Sequence, residues 1–267
     1  MPTPARHTRS LALPPLVPLL VMLALCAAAL ILAAVSLGGS PTGKPRPTAN
    51  GTSAPTDSPA DQAKPITVVV IDAGHGGEDG GASSASGLVE KDVNLAVAFA
   101  LRDLFEVAGI PVVMTRTEDK LLYDRNVDFQ GRKKVLDLAA RRLMAEKAAQ
   151  TAAAEGGQSL FVCIHMNAFP QTQYSGMQVW YGTGDPLSAE VAGRIQSTST
   201  ALMPSNNRKI KPAGSNIYLL DRIKTPAVLV ECGFLSNPAE AARLGETAYQ
   251  NALAAVIFAG IAAELSS

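Results

Sequence analysis

Two histidines and two glutamates stand where apolar runs end or helices begin. His75 follows the run VVVID within DAGHGG, and His165 ends the run LFVCIH; the only other histidine is His7. Glu90 opens the run EKDVNLAVAF, and Glu231 follows AVLV. Two His and one carboxylate form the ligand set of a catalytic zinc site, and a further carboxylate can take a proton from water. The residues therefore predict Zn²⁺ held by His75, Glu90 and His165, with Glu231 as general base.

Each of these residues also has a purely structural interpretation. His75 could face solvent in a tight glycine-rich turn, and His165 could be a satisfied buried strand residue. Glu90 could serve only as an acid near a helix N-terminus, where the helix dipole favours it. The glycine-rich turn is not a phosphate loop, because it lacks both Gly-Lys-Ser/Thr and the G-x-G-x-x-G spacing. The chain also has no H-E-x-x-H helix of the kind found in many zinc proteases.

Cysteine chemistry is the rival interpretation. Cys163 lies two residues before His165, on the same face of the predicted strand. Such neighbours are about 6.6 Å apart along a strand, too far for a tight nucleophile–base pair. Cys163 and Cys232 could meet across neighbouring strands, but we expect both to be small buried apolar residues.

Alternating strand-like and helix-like segments must position these side chains. The β-branched runs are TVVVID, IPVVMTR, LFVCIHM, GMQVWYG, NIYLL and AVLVECG. Apolar residues at helical spacing lie between them, and Asn237, Pro238 and Glu240 fit a helix start with a capping box. This alternation predicts one three-layer α/β domain with a twisted, mostly parallel sheet flanked by helices. Ligands of such sheets collect beyond the carboxyl ends of the strands, where His75, His165 and Glu231 fall.

The N-terminal quarter has a different composition. Residues 11–37 are almost continuously apolar and predict a transmembrane anchor, with residues 1–10 as a cytoplasmic tail because Arg6 and Arg9 precede the span. A cleaved signal segment is the alternative, and it would make the protein secreted. Residues 38–65 are rich in Pro, Gly, Ser and Thr and predict a disordered tether. The catalytic domain is then 66–267, held outside the cytoplasm.

The charge balance restricts the class of partner. Lys and Arg together number 23, equal to Asp and Glu, so the chain lacks the basic excess of a nucleic-acid-binding protein. A membrane contact is expected only through the N-terminal segment.

Four ordered motifs identify a resemblance to a known family. DAGHGGEDGGA, EKDVNLAVA, IHMNAF and LVECGFLSNP resemble the zinc-dependent N-acetylmuramoyl-L-alanine amidases of the Amidase_3 type, over about residues 67–265. The resemblance implies zinc bound by His75, Glu90 and His165 and a catalytic Glu231. It also implies peptidoglycan as substrate, cut at the amide between N-acetylmuramic acid and L-alanine.

The stretch KKVLDLAAR at 133–141 resembles the spore-cortex, germination-associated branch of this family. That branch implies removal of stem peptides before muramic-δ-lactam is formed. Cys163 and Glu146 depart from the family pattern, which usually has a small hydroxyl residue and Asn there. The alternatives are a vegetative autolysin of the same chemistry, a non-catalytic peptidoglycan-binding module and a metal-dependent deacetylase of wall sugars. The sequence leaves open whether an activating protein is needed.

Overall fold

The computed structural model describes residues 64–124, 126, 131–262 and 264–265. The predicted tail at 1–10, the apolar segment at 11–37 and nearly all of the tether at 38–65 lie outside the described residues. Within the described part of the chain, no helix combines the length and the apolar character that crossing a bilayer requires.

The centre of the described domain is a six-stranded sheet. Its strands are β1 (Ile66–Ala73), β2 (Val112–Met114), β3 (Gln158–Asn167), β4 (Gln178–Tyr181), β5 (Lys211–Pro212) and β6 (Ala227–Phe234). They lie in the order β2-β1-β3-β6-β4-β5, and each neighbouring pair is parallel except β4 with β6. The predicted mostly parallel sheet is confirmed.

Helices cover both faces of this sheet. The α-helices of the described residues are α1 (Glu90–Val107), α2 (Lys133–Ala154), α3 (Leu187–Thr198), α4 (Tyr218–Arg222), α5 (Pro238–Leu244) and α6 (Thr247–Ala262). Helix α1 shows why they dock: Val93, Val97, Leu101 and Phe105 recur every four residues and are all buried.

The sheet separates two apolar cores. Val162 and Ile164 of β3 face α1, α3 and α6, whereas Phe161 and Cys163 face α2 and α4. This is the alternation expected of a central strand that is buried on both faces. The described residues therefore form a mixed α/β domain with helices on each side of the sheet, as the sequence predicted.

Two local predictions are wrong. The run NIYLL was predicted as a strand, but it leads into α4, which buries Leu219 and Leu220 against the second face of the sheet. A run of about five apolar residues does not distinguish a strand from one turn of helix. Glu240 does not complete a capping box: its carboxylate accepts from the backbone N–H groups of Gly176 and Phe234 instead. Asn237 does cap α5, accepting from the backbone amides of Ala239 and Glu240.

Candidate metal centre and catalytic site

The carboxyl ends of β1, β3 and β6 bring the predicted site residues to one edge of the sheet. β1 ends at Ala73, and His75 follows in the next turn. His165 of β3 is paired in parallel register with Glu231 of β6. Adjacent strands lie about 4.8 Å apart, so His165 and Glu231 are neighbours across the sheet.

Two glycines in the loop after β1 lie so close to His165 and Glu90 that neither position has room for a side chain. His75 has a positive φ of 62°, the only such value at a non-glycine residue that the structure describes. A Cβ on Gly74 would lie 2.3 Å from Nε2 of His165. A Cβ on Gly81, where φ is 69°, would lie 2.5 Å from Oε2 of Glu90. Glycine is required at both positions because side chains would fill the site.

Glu90 lies between the two imidazoles. Its Oε1 is 2.9 Å from Nδ1 of His165 and 3.3 Å from Nε2 of His75. The backbone N–H groups of Ala82 and Met166 donate to its two carboxylate oxygens at 2.8 and 3.1 Å. Neither donor belongs to the first turn of α1, so Glu90 does not act as a helix cap.

His75, Glu90 and His165 each offer a ligand atom, and these atoms lie within 4.8 Å of one another. Burial disfavours the charged form of Glu90, but the two imidazoles outweigh it and hold the pKa of Glu90 well below its usual value. Nδ1 of His75 is 3.0 Å from Oδ1 of Asp79, at an angle that does not make a hydrogen bond. An ionised carboxylate beside two imidazoles fits a divalent metal such as zinc.

Glu231 is the unusual carboxylate of the site. Its Oε2 is buried and has no hydrogen-bond partner among the described residues. Burial raises the pKa of Glu231 to about 7, against the opposing effect of His165. A carboxylate oxygen buried without a partner costs free energy, so its position calls for a functional explanation.

A buried arginine on α2, for which the sequence motifs predict no role in the site, supports the His75 turn from behind. Arg141 donates through Nη1 to Asp72 at 2.7 Å and to the carbonyl of Ala73 at 2.8 Å. Its Nη2 donates to the carbonyl of His75 at 2.7 Å, and its Nε donates to Asp137 at 2.8 Å. One guanidinium therefore links α2, β1 and the turn that carries His75.

Arg116 is a second buried support. It donates to the carbonyls of Ala73 and Gly74 at 2.8 and 3.0 Å and to that of Lys91 at 2.8 Å. It thereby connects the His75 turn with the first turn of α1.

The sequence contained a signal for the role of Arg141. Asp137 and Arg141 lie at the same four-residue spacing as the buried Ala145, which places all three on the buried face of α2.

The comparison with protein families covers most of the described domain. The family model described as N-acetylmuramoyl-L-alanine amidase (Amidase_3) matches residues 69–263, which contain the four site residues. The chain belongs to the Amidase_3 family of N-acetylmuramoyl-L-alanine amidases. The enzyme class predicted from the four motifs is confirmed, and peptidoglycan is the substrate that fits this amidase.

Two curated relatives and one solved structure show the extent of the similarity. The germination-specific N-acetylmuramoyl-L-alanine amidase of Bacillus subtilis is 38% identical over 195 residues, covering 73% of this chain and 78% of that protein. The amidase LytC of the same organism is 28% identical, over 72% of this chain and 34% of its own length. The solved structure of the CwlD amidase from Clostridioides difficile, in complex with the GerS lipoprotein, is 37% identical with a TM-score of 0.67. That likeness covers 75% of this chain and 98% of CwlD.

The two cysteines of this amidase domain are buried on opposite faces of the sheet and are not bonded to each other. Cys163 donates its thiol proton to Oδ2 of Asp72 at 2.9 Å, and burial raises the pKa of that thiol. Burial also raises the pKa of the Cys232 thiol. A protonated, enclosed thiol is a poor nucleophile, which is the bystander role that the sequence predicts.

Cys163→Ser should keep the rate of peptide release within about threefold of the wild type. A serine hydroxyl can donate to Asp72 as the thiol does, so the support of the His75 turn is preserved. The measurement is kcat on purified peptidoglycan, with Cys232→Ser as the matched control. A loss of 100-fold or more in Cys163→Ser alone would restore the cysteine mechanism.

Proposed function

We propose that His75, Glu90 and His165 hold a Zn²⁺ ion and that Glu231 is the general base of amide hydrolysis. The bond cut is the one between the lactyl group of N-acetylmuramic acid and L-alanine. Zinc in such a site polarises the amide carbonyl and makes water acidic enough to react near neutral pH. The three clustered ligand atoms and the ionised state of Glu90 support this assignment.

The observation that carries the proposal is the buried, unpartnered Oε2 of Glu231 next to His165. In this position the carboxylate accepts the proton of the attacking water and returns it to the departing amine of L-alanine. Backbone amides of Ala82 and Met166 keep Glu90 oriented, so that it does not compete for the same proton.

The spore cortex is the substrate we favour. The support is the 38% identity to a protein named germination-specific amidase and the likeness to CwlD. Removal of the stem peptide would leave muramic acid ready for the separate deacetylation and cyclisation that give muramic-δ-lactam. The second candidate is a vegetative autolysin, supported by the weaker likeness to LytC.

We also propose that residues 11–37 anchor the protein in the membrane and that the tether places the domain outside the cytoplasm. The alternative is secretion after cleavage of a signal segment. CwlD was solved in complex with a lipoprotein, which supports a protein partner for this chain too. Co-purification of the full chain with membranes, before and after a carbonate wash, distinguishes the anchor from the cleaved signal.

Product analysis on purified cortex and vegetative peptidoglycan tests the function, with the metal content measured on the same sample. We expect peptides with a free L-alanine amino terminus, glycan with a free lactyl carboxyl, and one zinc per chain. Faster release from cortex supports the germination role, and faster release from vegetative wall supports the autolysin. Release of acetate would identify a sugar deacetylase instead, and binding without any product would identify a non-catalytic module.

A further inference from the structure

Two exposed aromatic rings stand beside the catalytic edge of the sheet. Phe169 and Tyr174 are 46% and 41% exposed, and their ring centroids are 5.5 Å apart. The buried ring of Phe234 lies beneath them at 5.7 and 6.3 Å. Together with Arg208, whose guanidinium carbon is 4.3 Å from the Phe234 centroid, they form what we call the aromatic platform.

The platform is held in place from several sides. The backbone N–H of Phe169 donates to Ser236, and the side chain of Asn237 donates to the carbonyl of Tyr174. Nε of Arg208 donates to the carbonyl of Ser175 at 2.7 Å. Rigid, exposed aromatic side chains lose little entropy on binding and are typical of recognition surfaces.

Arg208 carries a charge that the described residues leave unneutralised. Its guanidinium bonds only to neutral oxygens, the carbonyl of Ser175 and the amide oxygen of Gln178. Within the described chain it belongs to no ion pair of 4 Å or less, unlike Arg194 and Arg243. A stacked guanidinium without an ionic partner is suited to binding a carboxylate.

The platform lies within reach of the bond to be cut. Phe234 is three residues beyond Glu231 along β6, which is about 10 Å at the rise of a strand. Gln178, which accepts from Arg208, is paired in register with Glu231. An extended peptide of about three residues spans the same distance.

We propose that the aromatic platform binds the stem peptide of the substrate and that Arg208 pairs with one of its carboxylates. The inference rests on the proposed function, because it takes the muramoyl–alanine bond to lie at Glu231. The glycan strand offers no carboxylate, since the lactyl carboxyl of muramic acid is used in the amide. The peptide therefore carries the anionic groups that complement Arg208.

Arg208→Gln and the wild type are compared on two substrates, untreated peptidoglycan and peptidoglycan whose carboxyls have been amidated with carbodiimide and ammonia. Amidation should lower the kcat/KM of the wild type about tenfold, the loss of one charge-assisted pair. Arg208→Gln should be about tenfold slower on untreated substrate and should show no further loss on amidated substrate. Its zinc content should equal that of the wild type. The matched control is Arg222→Gln, an exposed arginine over the Tyr218 ring, which should behave like the wild type on both substrates.

Equal losses on amidation in the wild type and in Arg208→Gln would overturn the proposal, as would an unchanged rate for Arg208→Gln on untreated substrate. If the wild type itself releases no peptide, the proposed function has failed instead. Tyr174→Ala leaves the charge of Arg208 and its hydrogen-bond acceptors on Ser175 and Gln178, so it tests the platform without the arginine substitution. It should raise KM on both substrates by the same factor, and an unchanged KM would remove the stacking role.

Discussion

Glu231→Gln should lower the turnover of the amidase by about 10²–10⁴-fold, the usual contribution of a general base. The substitution keeps the volume of the side chain but removes its capacity to take a proton from water. Zinc content should be unchanged, because His75, Glu90 and His165 are left intact. Stability should stay the same or rise, since a carboxylate with one buried, unpartnered oxygen is replaced by a neutral group.

Turnover is measured by peptide release from peptidoglycan, and metal content is measured on the same preparation. Glu246→Gln is the matched control, because Glu246 is an exposed carboxylate directly before α6. A Glu231→Gln enzyme that releases peptides at the wild-type rate would remove the general-base assignment. Loss of zinc together with activity would show that Glu231 helps to hold the metal instead.

Arg141→Met should lower the free energy of unfolding by about 3–5 kcal/mol, the cost of leaving buried charges unpaired. Asp72 and Asp137 would lose their cation, and the carbonyl of His75 would lose its donor. The turn that carries His75 would then be free to move, so zinc affinity should fall as well. Arg142→Met is the control, because Arg142 is the next residue on α2 but is partly exposed and pairs with Glu146.

The effect of Arg141→Met should depend on pH. Burial tends to raise the pKa of Asp72, but the charge of Arg141 and the hydrogen bonds from Arg141, Cys163 and Thr115 together outweigh it, so the pKa of Asp72 lies below the usual 3.8. The ion pair therefore stabilises the fold fully above that usual pKa, and its contribution is lost as the pH falls through the lower, folded pKa. The stability difference between wild type and Arg141→Met should shrink when urea unfolding is repeated from about pH 6 down to about pH 3. A difference that does not change over this range would contradict the assignment of charge to Asp72.

The ends of the predicted strands were the part of the sequence that best predicted the site residues. His165 and Glu231 each close an apolar run, and parallel pairing of β3 with β6 makes them neighbours. The place of Glu90 followed from its motif, but its contacts did not, because its backbone donors come from the loop at Ala82 and from β3. The run NIYLL was wrongly predicted as a strand, since five residues are too few to show a period.

The features of the site that the sequence did not predict depend on contacts between segments far apart in the chain. Arg141 reaches β1 across about 69 positions, and spacing alone cannot show that its guanidinium meets the carbonyl of His75. The aromatic platform likewise joins Phe169, Arg208 and Phe234 from three separate segments. Only the pairing of the sheet brings such residues together.

The origin of the three proposed metal ligands also determines when the centre could form during folding. His75 and His165 are 90 positions apart, and Glu90 joins them only after α1 has packed on the sheet. Closing a loop of this length is slow compared with forming a single helix. Tight metal binding must therefore follow the pairing of β1 with β3. The rate at which the refolding chain binds zinc would then report how fast this long-range strand pairing is completed.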